Sequence, residues 1–210
     1  MKRKLVYSVL VLSILLLLTG CSKKYTDLND NGDTAVRLNS GSFSMTTVFS
    51  ENGEGKSTVS GTYQKDGTTI NASTEKGSTY TFVLDGNYLL SSPLDGTIPD
   101  GDAFDCVLSS TSENSTDGST DNAATTTETA DVKTYTFSAD GTVTYGFSVT
   151  TKLSSDGEVV SNYSNETSSS GTYTRSGKLI TITYTDGNKD GESETLYVCD
   201  GTLYTQVYKN

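Results

Sequence analysis

The sequence predicts an all-β protein, an antiparallel meander with no helix beyond its N-terminal apolar stretch. Turn signals are the first support. Asp-Gly recurs at Asp66-Gly67, Asp85-Gly86, Asp140-Gly141, Asp156-Gly157, Asp186-Gly187 and Asp200-Gly201, with Asn52-Gly53 and Ser176-Gly177 in similar settings. Such dipeptides accept the positive φ of type I′ turns, whose twist matches two flanking antiparallel strands. Alternation is the second. Tyr80, Phe82 and Leu84 point one way, as do Val143, Tyr145, Phe147 and Val149, then Ile180, Ile182 and Tyr184, then Leu203, Thr205 and Val207. Composition is the third: only 33% of the 210 residues are hydrophobic, which suits thin β-structure rich in turns better than a thick-cored enzyme.

The chain opens with Met1-Lys2-Arg3-Lys4, a cationic segment, followed by an uninterrupted apolar run from Leu5 to Leu18. That run is too short to cross a bilayer comfortably and suits an export signal. It ends in Leu18-Thr19-Gly20-Cys21, which resembles the lipobox of bacterial lipoproteins. The resemblance implies a signal peptide over residues 1–20, cleavage before Cys21 and acylation of its thiol. The protein is then exported and anchored by its acyl chains to the cell membrane or outer membrane, on the extracytoplasmic side. Residues 21–33 are polar and aperiodic and read as a flexible tether. They contain Asp27-x-Asn29-x-Asn31-Gly32, the start of a calcium-loop pattern, but the twelfth position is Leu38 instead of a bidentate Glu.

Past the tether the chain repeats. SGTYQKDGTTI from Ser60 matches SGTYTRSGKLI from Ser170, and FSMTTVFSENG from Phe43 matches FSVTTKLSSDG from Phe147. The Asp85-Gly86 hairpin recurs as Asp200-Gly201. The separations are 104 residues for Phe43 to Phe147, 110 for Gly61 to Gly171 and 115 for Asp85 to Asp200. Block order is preserved, which points to an internal duplication. The first copy is expected over residues 34–108 and the second over 132–210. Between them, residues 109–131 hold no aromatic or branched aliphatic side chain and read as a disordered linker or long loop. The two prolines, Pro93 and Pro99, mark a boundary or crossover.

YTFSADGTVTYGF, GTYTRSGKLITITY and LYVCDGTLY together resemble the lipocalin-like β-domains of many bacterial lipoproteins. That resemblance implies two related barrels or half-barrels, or one composite barrel or sandwich. A closed barrel could hold one small apolar molecule or be filled by side chains.

Charge and residue usage narrow the function. The net charge of −11 deepens to −14 once Lys2, Arg3 and Lys4 are removed, which argues against nucleic-acid partners. With no histidine, the familiar triads and the commonest zinc ligand are missing. Ser73-x-x-Lys76 matches the spacing of serine acylases but lies beside a turn, where that chemistry lacks its helix. Asp186-x-Asn188-x-Asp190-Gly191-Glu192 reads as a solvated turn with Tyr197 at its twelfth position, although Glu192 or Glu194 could complete a non-standard oxygen site. No metal or cofactor is therefore expected. Export permits a Cys106–Cys199 disulfide, worth about 4 kcal/mol in the chain-entropy model; two reduced cysteines are the equal alternative. The tyrosines Tyr63, Tyr135, Tyr145, Tyr163, Tyr173, Tyr184, Tyr204 and Tyr208 form either a binding face or core filling. The expected function is a non-enzymatic binding module for a small apolar molecule, a glycan or a protein. A spacer lipoprotein, or a carboxylate-based hydrolase, is the alternative.

Overall fold

The structure is a computed structural model and describes residues 22–30, 33–48, 55–120, 123–156 and 158–210. Residues 1–20, where a signal peptide is expected, Cys21, the Asn31-Gly32 pair and the Asn52-Gly53 pair lie outside the described residues. The described chain is all β. Its strands are β1 (Lys23–Asp27), β2 (Thr34–Asn39), β3 (Ser42–Val48), β4 (Lys56–Asp66), β5 (Thr69–Thr74), β6 (Thr79–Asp85) and β7 (Tyr88–Pro93). There follow β8 (Cys106–Thr120), β9 (Ala123–Phe137), β10 (Thr142–Ser155), β11 (Glu158–Ser176), β12 (Leu179–Gly187), β13 (Ser193–Cys199) and β14 (Thr202–Lys209). Every pairing with a defined register is antiparallel, and consecutive strands are neighbours except at β7 and β8, which both leave the sequential order. The chain divides into two units, one of residues up to Ser91 plus Val207–Asn210, the other of Ser92–Gln206.

In the first unit, β1 to β7 follow in order and the last residues of β14 complete the ring by pairing Thr26 with Lys209 and Asp27 with Tyr208. This is a closed eight-stranded barrel, a size whose interior side chains just fill. Tyr25, Phe43, Phe82 and Tyr208 are each at most 2% exposed. Phe43 and Phe82 lie 6.0 Å apart and Phe82 meets Tyr208 edge-on at 6.2 Å. Residues 21–33 are thus no tether throughout. One buried tyrosine is too little pattern to announce a strand, and β1 forms because β2 and the end of β14 offer it ladders on both sides.

The second unit runs β14-β13-β12-β11-β10-β9-β8. Its two outer strands are joined through a short segment: the Leu94 N–H donates to Leu203 O, and Asp95 bridges Ser109 of β8. Phe104 packs into one end, 5.1 Å from Tyr173 and 5.3 Å from Phe137. Arg175 fastens the incoming loop, donating to Pro99 O at 2.8 Å and Gly101 O at 2.9 Å. The repeat boundary expected at residue 108 falls instead at Ser91/Ser92, just before Pro93.

Residues 109–131 are not a disordered linker. Most of them form the β8–β9 hairpin, which pairs Cys106 with Phe137 at one end and Thr120 with Ala123 at the other. Composition misled here because threonine, absent from an apolar count, is β-branched and suits a strand once a neighbouring ladder exists.

The duplication is visible in the register. Lys65 pairs with Ile70 and Tyr63 with Ala72 in one hairpin; Arg175 pairs with Ile180 and Tyr173 with Ile182 in the other. A Cβ on Gly61 would sit 1.9 Å from Ser73 O, and one on Gly171 would sit 2.1 Å from Thr183 O, so both copies need glycine where two backbones close up. Two of the sequence alignments shift. Phe43 faces Gly61 while Val143 faces Gly171, so the counterpart of Phe43 is Val143, not Phe147. Asp85 pairs with Tyr88 and Cys199 with Thr202, so Cys199, not Asp200, answers Asp85.

Candidate functional site

At one block of positions the two copies differ in polarity as well as size. By register, Val36 corresponds to Tyr135, Met45 to Tyr145, Thr74 to Tyr184 and Tyr80 to Glu194. The first barrel is therefore built with no charged group at these positions, whereas the second copy places a carboxylate, Glu194, among tyrosines there. Tyr135 donates to Glu194 Oε1 at 2.8 Å and Tyr184 to Glu194 Oε2 at 2.7 Å. Lys189, from the loop of residues 188–192, donates to Glu194 Oε2 at 2.9 Å. Its ammonium lies 4.2 Å from the centre of the Tyr145 ring and 5.0 Å from that of Tyr184. The Lys189 N–H is anchored by Ser169 Oγ, a buried hydroxyl, at 2.9 Å.

Burial explains the electrostatics. It raises the phenols of Tyr135 and Tyr184 far above their ordinary range, and the Glu194 charge adds to the effect. The same two causes push Tyr145 up to about 12. All three phenols are held neutral, as donors or ring faces, and none is poised to act as a base.

Beyond this cluster the strands β8 to β11 continue as a four-stranded blade. None of residues 109–117, 125–134, 146–155 and 158–168 is fully buried, and of their side chains Phe147, at the root of the blade, packs against the core. The face that continues the barrel interior is set by the period-two alternation through Tyr135 and Tyr145. It carries Phe147 and Thr167 in one paired row, Asp131, Val149 and Asn165 in the next, and then Asn114, Thr129, Thr151 and Tyr163. Tyr163 is 60% exposed. The opposite face carries the Lys152–Glu128 ion pair at 3.1 Å. It borders an open cleft of about 540 Å³ whose lining on this face is Glu113, Ser115, Glu128, Ala130, Thr150 and Lys152.

The residues singled out in the sequence are scattered. Cys106 and Cys199 are not joined by a disulfide; the first is half-buried on β8 and the second buried on β13. Burial and the neighbouring Asp105 raise the Cys106 thiol, which disfavours a reactive thiolate. Ser73 ends up on β5 and Lys76 in a turn closed by Thr74 Oγ1 and the Ser78 N–H, with no helix between them. In the Asp186 loop, Asp186 Oδ1 accepts from the Gly187 N–H and Glu194 points into the phenols, so the acidic side chains do not gather around a common centre. Of the eight tyrosines, Tyr135, Tyr145, Tyr173, Tyr184 and Tyr208 are core, Tyr63 and Tyr204 are half-buried, and only Tyr163 stands on an open face. Nothing in the sequence marks Lys189 and Glu194 as a pair. Their signal, a charged residue at a position where the other copy has a ring, appears only after the register is corrected.

Comparison with protein-family models, curated proteins and solved structures returns no match.

Proposed function

We propose that this chain is an exported, lipid-anchored binding module of the bacterial cell envelope, non-enzymatic, which offers the inner face of its β8–β11 blade to a glycan. The observation that carries the reading is the blade itself. Four long strands are kept ordered where they bury no core residue, and their inner face sets Tyr163 in one row with Asn114, Thr129 and Thr151. An exposed ring flanked by amides and hydroxyls matches the two needs of a sugar, an apolar platform and hydrogen-bond partners.

The interior argues against carriage of a small apolar ligand. Of the four side chains expected to wall a hollow barrel, Phe82, Phe137 and Ile182 are at most 2% exposed and packed against other core rings or aliphatic side chains, and Phe147, partly buried, packs against the second core. A hydrolase is disfavoured by Glu194, whose carboxylate is engaged by two phenols and an ammonium instead of facing a second carboxylate. The anchor rests on the Leu18–Cys21 pattern and the signal preceding it. Since β1 begins at Lys23, acylation of Cys21 would hold the first barrel close to the bilayer surface.

Affinity electrophoresis through gels containing bacterial cell-wall glycan or neutral polysaccharides tests the binding. The native protein should be retarded by at least one of them. Tyr163→Ala should weaken that by about tenfold or more with Tm unchanged, as for an exposed aromatic contact. Native protein retarded by none, or a variant retarded equally, would sink the glycan reading. Metabolic palmitate labelling that persists in Cys21→Ser would refute the anchor.

A further inference from the structure

We propose that the corner formed by Tyr145, Tyr184 and Glu194 is a binding site for an organic ammonium group, held closed in the free chain by Lys189 acting as an internal ligand. This stands apart from the glycan reading and concerns a different place in the second unit.

Two ring faces and a carboxylate converge on one ammonium, at 4.2 Å, 5.0 Å and 2.9 Å. Ring quadrupoles and a partly desolvated carboxylate select positive charge, and aromatic cages of this kind recognise quaternary ammonium ligands. The third phenol, Tyr135, holds the other oxygen of Glu194 and so fixes the carboxylate's orientation.

The corner is not demanded by the fold, because the first copy builds the same barrel with Met45, Thr74 and Tyr80 at these positions. The lysine is also delivered by a device the first copy lacks. Residues 75–78 suffice to connect β5 to β6, whereas the β12–β13 connection carries the extra turn that presents Lys189. That loop runs between Gly187 and Gly191, both at positive φ, and holds to β11 by the Lys189 N–H on Ser169 Oγ and the Asn188 N–H on Ser168 O at 3.3 Å. The Lys189 side chain keeps 26% of its surface exposed, so the corner opens to solvent once the loop lifts. An incoming primary amine would take over both the Glu194 bond and the ring contacts. A quaternary ammonium would keep the rings and the charge.

The test uses n-butylammonium and tetramethylammonium chloride as probes and neopentanol as the uncharged control of similar shape. Binding is followed by calorimetry and by the NMR signals of the Tyr145 and Tyr184 rings. Lys189→Ser should bind at least one ammonium saturably, about tenfold or more tighter than the native chain, in which the internal lysine lowers the competent fraction. In the native chain, binding should release the protected Lys189 amide. Adding Glu194→Gln to Lys189→Ser should abolish the gain. No saturable binding by Lys189→Ser, or equal binding of neopentanol, overturns the proposal. If Lys189→Ser loses the folded ring signals, Lys189→Met, which retains the apolar stem, decides by the same criteria.

Discussion

Tyr63 and Tyr173 hold the same register position in the two copies, yet they do different work. Tyr173 is buried, and its hydroxyl donates toward Ser138 O at 3.1 Å and accepts from the Phe104 N–H at 3.0 Å. It thereby satisfies the backbone of the loop that packs into one end of the second unit. Tyr63 is half-buried against the first core. Tyr173→Phe strands a buried N–H and should cost about 1–3 kcal/mol, whereas Tyr63→Phe should stay within about 0.5 kcal/mol. Chemical denaturation of the two variants checks the contrast; equal losses would mean that the Phe104 loop does not depend on the hydroxyl. The sequence aligned these tyrosines correctly and could not separate their roles, because the loop from Pro99 to Phe104 reaches Tyr173 across about seventy residues.

At the scale of the element, the blade and the barrel are one set of strands serving two purposes. The inward residues Val143 and Tyr145 of β10 are buried, while Phe147 and Val149, on the same face farther along, are only partly covered. The alternation reads identically throughout, so it predicts a face without telling where the core stops. Shortening the blade, by replacing residues 113–130 and residues 150–164 each with an Asn-Gly turn between the paired residues Ser112 and Asp131 and Val149 and Asn165, removes none of the side chains that are buried among the described residues. The second core should keep its tyrosine near-UV circular dichroism and lose glycan retardation. Collapse of the near-UV signal would show that the blade's backbone ladder, and not the core, holds the barrel together. The hairpin of β8 and β9 is the element least legible in the sequence. Its Ser and Thr residues cannot form a core of their own, and they are ordered by pairing with β10.

For the whole molecule, tyrosine is the main core aromatic, and this sets its response to alkali. Burial pushes Tyr208 in the first unit and Tyr145 in the second up to about 12, with Asp27 and Glu194 respectively adding to it, and raises Tyr135 and Tyr184 further. Each folded-state value lies above the unfolded one near 10, so the neutral phenols' contribution is fully present below pH 10. It is lost as pH rises from 10 toward 12 and beyond, because the unfolded chain gives up its protons first. Each such tyrosine steepens the fall by up to about 1.4 kcal/mol per pH unit. Denaturant midpoints should be flat from pH 8 to 9.5 and drop sharply above 10, with phenolate absorbance at these sites appearing only as the fold is lost. Phenolate formation at full stability would contradict the buried assignment.

The sequence by itself determined the all-β class, the positions of most turns, the inward residues of β6, β10, β12 and β14 and the existence of two copies. Those properties depend on φ preferences and on a period of two, which neighbouring residues encode. Only the tertiary structure decided that Tyr25 begins a strand, that the ends of β14 belong to different units, and that Val143 is the true counterpart of Phe43. It also decided that Lys189 meets Glu194 beneath two tyrosine rings. Barrel closure and cross-strand register pair residues distant in sequence, and no local pattern records which distant edge a strand will find.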